Sequence, residues 1–212
     1  MRTIDARSDA PERIAEQTAA AVFAGGVVIF PTDTVYGIGC DPTNQAALDR
    51  IYVLKNRPRH KPLALHFATV AELGEYVPDN PRAMSLAKKF LPGPLTLVVR
   101  KPRFVDFRVT AGLPSVSLRV PAHPLCWAIL DHTGPLAATS ANVSGSAAYS
   151  GRPFLEADLP AADLFVDAGP TPVGQESTIL DLTDHQTRVI RTGAIALATL
   201  EEALGESILG FE

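Results

Sequence analysis

Short apolar strands alternating with helical segments predict an α/β fold, with one twisted, mixed β-sheet flanked by helices. Length supports a single domain over residues 1–212, because 212 residues at roughly 150 per domain leave little room for a second. Composition supports a packed core: 46% of residues are hydrophobic and 20% are charged, enough apolar surface to offset chain entropy. The 18 prolines exceed the usual share of ~5%. Most of them punctuate strand-to-loop junctions, where an open α/β sheet places its ligand site.

The elements follow in order. From Pro11 to Ala24, residues Ile14, Thr18, Ala21 and Val22 recur at helical spacing, and Gly25-Gly26 stops the helix as a C-cap pair. Val27 to Phe30 is a continuous apolar run, read as a strand buried on both faces. A loop from Pro31 to Asp41 follows at its carboxyl end. Leu48, Ile51 and Tyr52 mark one face of a helix from Asn44 to Leu54, closed by the basic segment NRPRHKP. Leu63 to Phe67 is a strand. Thr69 and Glu72 have capping-box spacing for a helix carrying Val70, Leu73 and Val77, and a further helix spans Arg82 to Phe90. Strands follow at Leu95–Val99, Val116–Val120, Leu136–Ala138, Leu164–Val166, Thr178–Leu182 and Arg188–Ile190, and Thr199 with Glu202 repeats the capping-box spacing before Leu204.

Charge and cysteine usage exclude several function classes. Nineteen Lys and Arg against 23 Asp and Glu give a net charge of -4, which lacks the positive bias of a DNA coat or a polybasic membrane binder. Cys40 and Cys126 are the two cysteines and form no CxxC pair, so neither a zinc ribbon nor a disulfide framework is on offer and a reducing cytoplasm fits. The amino terminus has no apolar h-region, and no window reaches about 18 consecutive apolar residues. These features point to a soluble, unexported protein.

Lys55, Arg57, Arg59, His60 and Lys61 crowd five cationic or titratable side chains into a short segment of an acidic chain. If the segment is extended, Lys55, Arg57 and Arg59 share one side and can grip adjacent phosphates. If it is a turn, the same charges sit in water against a helix C-terminus. Pro31-Thr-Asp-Thr-Val-Tyr-Gly-Ile-Gly39 places hydroxyls and a tyrosine after a buried strand, with glycines that let backbone amides approach a ligand. Thr139-Ser-Ala-Asn-Val-Ser-Gly145 does the same, and Ser140 and Asn142 can face one ligand together. There is no GxxxxGK[ST], GxGxxG, HExxH or GxSxG motif. His66, His123, His132 and His185 are isolated, so a metal held by protein ligands alone is not expected. A participating Mg2+ would arrive with a polyphosphate.

Seven segments then occur in a telling order: PTDTVYGIG (31–39), KNRPRHKPLALH (55–66), LPGPLT (91–96), SVSLRVP (115–121), TSANVSG (139–145), STILDL (177–182) and RTGAI (191–195). In this the chain resembles the YrdC family over residues 14–204. The resemblance implies a YrdC-like catalytic domain in its short single-domain form. It also implies ATP-dependent synthesis of L-threonylcarbamoyl-AMP from L-threonine and bicarbonate with release of pyrophosphate, for threonylcarbamoyladenosine in tRNA.

By resemblance, Lys55, Arg57, Ser140 and Asn142 form the catalytic set. Arg57, Lys61, Ser115, Asn142, Ser150 and Arg191 contact ATP, while Thr34, His66, Arg119, Ser140 and Ser177 hold L-threonine. Ile38 stands where the family often has Leu, and Glu176 precedes Ser177 where proline is common. A downstream threonylcarbamoyl transferase is the implied partner, with direct tRNA contact left open. Arg119 also has a reading from spacing alone. Val116, Leu118 and Val120 share one strand face and Ser117 and Arg119 the other, so its guanidinium points away from the apolar core. Two other functions compete: carbamoyl transfer, which in relatives sits within longer chains carrying zinc-finger and acylphosphatase regions, and a non-catalytic RNA-binding module, which the net charge of -4 opposes.

Overall fold

A computed structural model describes residues 1–77, 79–151 and 159–210 of the chain. Its strands are β1 (Arg2–Asp5), β2 (Val28–Phe30), β3 (Gly37–Cys40), β4 (Ala64–His66), β5 (Leu95–Arg100), β6 (Ser115–Arg119), β7 (Leu136–Ser140), β8 (Leu164–Asp167), β9 (Thr178–Asp181) and β10 (Arg188–Arg191). The α-helices are α1 (Pro11–Phe23), α2 (Gln45–Leu54), α3 (Pro81–Phe90), α4 (Pro124–Thr133) and α5 (Leu197–Leu204). One ten-stranded sheet joins all the strands in the order β1-β8-β2-β3-β7-β4-β6-β5-β9-β10. β8 runs parallel to β1 and β2, β4 to β6, and β5 to β9, and the other pairs are antiparallel. This is the mixed α/β sheet that the sequence predicts.

Side chains alternate along a strand, which gives the sheet two different faces. On one, Leu65, Leu97, Val116, Leu118 and Leu180 pack with Leu48 and Ile51 of α2, Leu86 of α3 and Leu200 of α5. Each such fully buried aliphatic side chain contributes roughly 1.5–3 kcal/mol. On the other, Val28, Phe30, Leu136 and Val166 pack beneath Ile14 and Val22 of α1 and Ile129 and Leu130 of α4. β2 and Val27 just before it therefore feed both cores, Val27 and Ile29 entering one and Val28 and Phe30 the other, as the unbroken apolar run requires. α1 and α4 roof only the β1-β8-β2-β7 side of that second face. Beyond them, Ala64, His66, Thr96, Val98, Ser117 and Arg119 of β4, β5 and β6 look into a cavity.

Several local expectations hold and others are corrected. α1 ends at Phe23 with Ala24 as its C-cap, and Gly25 follows at φ +82°, donating its N–H to Val22 O at 2.9 Å. The loop expected over 31–41 contains β3, which pairs with both β2 and β7. Its glycines serve packing: a Cβ on Gly37 would lie 2.9 Å from the Phe30 ring, and one on Gly39 2.9 Å from the Ala138 Cβ. Two elements were not read from the sequence. β1 is an edge strand whose one buried residue is Ile4. α4 buries Leu125, Cys126, Ile129 and Leu130, with His123 accepting from Cys126 N–H at 3.4 Å as its N-cap.

Thr69 and Glu72 do pair, the Glu72 carboxylate accepting from Thr69 N–H at 2.7 Å, but the element that follows is a 3-10 turn over Ala71–Glu75. The second expected box fails. α5 starts at Leu197, so Thr199 lies inside the helix, and Ala196 caps it with no side-chain bond.

Candidate active site

The uncovered sheet face is the floor of a cavity of about 710 Å³, within the ~300–1,000 Å³ usual for small-molecule sites. Its walls come from the Thr32–Gly37 segment after β2, the Arg57–Pro62 turn after α2, Leu113 before β6, the end of β7, the Glu176-Ser177 segment before β9, and Arg191 at the end of β10. Of the residues expected to act, Arg57, Lys61, His66, Ser115, Arg119, Ser140, Ser177 and Arg191 line it together. Thr34, Lys55, Asn142 and Ser150 do not.

The basic segment is a turn, not an extended strand. Lys55 is the α2 C-cap and Asn56 takes φ +48°, which breaks the expected alternation of Lys55, Arg57 and Arg59. Arg59 turns away to pair with Asp49 and stack over the Tyr52 ring at 5.1 Å. Arg57 and Lys61 face the cavity, and Arg57 is steadied by donating to Lys61 O at 3.2 Å and Pro62 O at 2.8 Å.

Lys55 points inward and straps the loop after β7. Its Nζ donates to Ser140 O, to Asn142 O at 2.5 Å and to Asn142 Oδ1 at 3.1 Å, and Ser144 N–H donates back to Lys55 O at 2.8 Å. An ammonium has three donors, so three acceptors use all of them and leave none for a ligand. Burial, with the neighbouring Arg57 charge, pulls Lys55 down to about 7. Asn142 is equally committed: its Oδ1 also accepts from Ser140 Oγ at 2.7 Å, and its amide donates to Val143 O and Ser146 O. Lys55 and Asn142 thus hold Ser140 in the cavity wall from behind. Thr34 and Ser150 serve the wall in the same way through Thr171, whose hydroxyl donates to Thr34 O at 2.7 Å and whose N–H donates to Ser150 O at 2.9 Å.

At one end of the cavity stand His66 and Arg119, direct partners in the parallel β4–β6 register. Arg119 does leave the side occupied by Leu118, as its alternation predicts, and joins the cavity wall. Its Nη2 donates to Asp33 Oδ1 at 2.7 Å, with the two side chains 7% and 4% exposed. Arg119 Nε and Asp33 Oδ2 are buried without a partner. His66 Nδ1 lies 3.2 Å from Ala64 O. A carbonyl only accepts, so Nδ1 carries the proton and Nε2 is left as an acceptor. Burial, and then the Arg119 charge, lowers the imidazole to about 3.

The opposite wall carries Arg191, whose Nε and Nη2 donate to Ser177 O at 3.1 and 2.9 Å, while Nη1 donates to Glu176 Oε1 at 2.7 Å. Ser177 Oγ shares a hydrogen bond with Thr96 Oγ1 at 2.9 Å. Asp33, Thr96, Ser117 and Asp181 were not anticipated as parts of the site. Thr96 and Ser117 could have been found by extending to β5 and β6 the alternation that separates Arg119 from Leu118. Asp33 lay in plain view inside the PTDT string.

This arrangement has the chemistry to bind and orient an anion. Arg57, Lys61, Arg119 and Arg191 offer charge-assisted donors, and hydroxyls lie between them. Both cysteines are buried free thiols whose pKa burial raises, Cys40 to about 12, so neither is an activated nucleophile. Among the described residues no three His, Cys, Asp or Glu side chains converge to hold a metal ion.

Comparisons with known proteins give the family and the fold. The Sua5/YciO/YrdC family model, described as telomere recombination, matches residues 20–193. The chain is 40% identical over 193 residues to the threonylcarbamoyl-AMP synthase of Bacillus subtilis, covering 89% of this chain and 56% of that protein. It is 37% identical over 185 residues to the enzyme of the same name from Pyrococcus abyssi, covering 86% and 54%. The chain thus spans about half the length of these two relatives. Among solved structures, P. abyssi Sua5 complexed with L-threonine superposes with a TM-score of 0.88 at 34% identity, covering 99% of this chain and 62% of that one. E. coli YciO superposes at 0.78 and 27% identity, covering 92% and 95%.

Proposed function

The chain belongs to the Sua5/YciO/YrdC family, and from that premise we propose that it is an ATP-dependent L-threonylcarbamoyl-AMP synthase. The observation that carries this is one cavity lined by two unlike groups of side chains, Arg57, Lys61 and Arg191, and Arg119 beside a neutral His66. The first suits a polyphosphate. The second suits an amino acid, whose carboxylate matches the planar fork of Arg119 and whose N–H or O–H can donate to His66 Nε2. Ser115, Ser140 and Ser177 line the same cavity.

Threonine's amine and bicarbonate combine, with loss of water, to an N-carboxylated threonine. Its new carboxylate oxygen forms a bond to the α-phosphorus of ATP as the bond from that phosphorus to the bridging oxygen breaks, and pyrophosphate leaves. The nucleophile is the substrate's own, so the protein needs no activated Ser, Cys or His. Its part is alignment and stabilisation of the developing phosphate charge by Arg57, Lys61 and Arg191. Mg2+, when bound, neutralises phosphate charge. It would be held through the ATP phosphates, since among the described residues no three His, Cys, Asp or Glu side chains converge on one point. Lys55, Asn142, Thr34 and Ser150 act by holding the loops that present these groups.

The product, a mixed anhydride, needs a threonylcarbamoyl transferase to pass its acyl group to adenosine in tRNA. A cytoplasmic setting goes with that chemistry, and no described helix is long and apolar enough to cross a membrane. The test is product identity. Protein incubated with threonine, bicarbonate, Mg2+ and ATP should yield a species with the mass of threonylcarbamoyl adenylate, and ADP or free AMP alone would refute the proposal.

A further inference from the structure

Glu176 places a carboxylate among the cavity's cations. Its Oε1 accepts from Arg191 Nη1 at 2.7 Å, the two side chains being 35% (Arg191) and 37% (Glu176) exposed. Arg191 does not depend on that contact for its position. Its Nε and Nη2 are fixed on Ser177 O, and Nη2 also reaches Ser177 Oγ at 3.1 Å. The carboxylate therefore occupies the one edge of the guanidinium that Ser177 leaves free. Partly solvated ion pairs are weak, so a phosphate oxygen, more highly charged and held at the same time by Arg57 and Lys61, can take the same edge. Glu176 is exposed enough to swing into water when that happens.

Resting on the phosphate reading above, we infer that Glu176 is a displaceable counter-ion on Arg191 that sets how tightly the site holds polyphosphate. In the substrate-free chain it neutralises and pre-orients Arg191. ATP binds by displacing it, and after reaction its return to Arg191 competes with pyrophosphate and helps it leave. Tighter polyphosphate binding is thereby traded for faster release.

The experiment measures binding of inorganic pyrophosphate and of a nonhydrolysable ATP analogue by calorimetry to wild type, Glu176→Gln, Arg191→Ala and the double variant. Glu176→Gln is close to isosteric at a part-exposed position, Glu176→Ala repeats the test without the amide, and matching melting curves check the fold. Removing the charge should tighten both ligands about three- to fivefold, slow pyrophosphate release, and leave threonine affinity unchanged. In the Arg191→Ala background the same substitution should give no gain. Unchanged or weaker polyphosphate binding in both Glu176 variants would overturn the proposal, and so would an equal gain in the Arg191→Ala background. A wild type that binds neither ligand would instead overturn the phosphate assignment beneath it.

Discussion

Arg119 and Asp33 form an almost wholly enclosed ion pair, Nη2 to Oδ1 at 2.7 Å, with one further donor and one further acceptor of the same two groups left without partners. Two buried charges are costly unless matched, so the pair commits the PTDT loop and β6 to one relative position. That position sets the part of the cavity lined by Arg119 and His66.

Removing one member should be far worse than removing both. Asp33→Ala strands a buried guanidinium and should cost roughly 3–5 kcal/mol of stability, whereas Asp33→Ala combined with Arg119→Met should recover much of that loss. Urea unfolding of the single and double variants checks it, and equal losses would show that the pair carries no coupling.

Arg119→Lys keeps the charge and loses the planar fork. Threonine affinity should fall while ATP affinity is spared, read by titrating threonine at saturating nonhydrolysable ATP. Matching threonine affinities would remove Arg119 from the site.

Arg57→Ala should weaken ATP binding by roughly 1.5–3 kcal/mol, the worth of a hydrogen bond to a charged group, with the fold intact. Arg103→Ala, outside the cavity lining, should change little. Lys55→Met should act differently, raising the KM for both substrates, because it frees the loop that carries Ser140 instead of a ligand contact.

His66 gives a pH dependence with a definite sign. Its imidazole sits near 3 in the fold against about 6.5 in an unfolded chain, so between these values the unfolded chain binds the extra proton. Stability is therefore lost as pH falls from about 6.5 toward 3, by up to about 1.4 kcal/mol per unit. His66→Gln should flatten that stretch of the profile in denaturant midpoints taken from pH 7 to 4.5, and an unchanged slope would show that His66 is not buried as a neutral ring.

Much of this site was legible in the residues because period-two alternation is a local property. It correctly set Arg119 and Ser117 opposite Val116 and Leu118. It could not say that Arg119 pairs there with Asp33, since that contact joins residues 86 apart in sequence. Lys55 shows the same limit, because its charge suggested a phosphate while its partners, Ser140 and Asn142, lie 85 and 87 residues away. β3 was hidden by Gly37 and Gly39, poor strand formers by propensity that the Phe30 ring makes necessary. α4 carries a legible signal, with Pro124 opening it and apolar residues at helical spacing.

In this reaction the attacking group exists only when threonine and bicarbonate are both present. Pyrophosphate release from ATP, followed with each of the two omitted in turn from carbonate-depleted buffer, tests it most directly. Release should need both and should return when the missing one is restored. Equal release without either would make the protein a nucleotide hydrolase and contradict the adenylation chemistry.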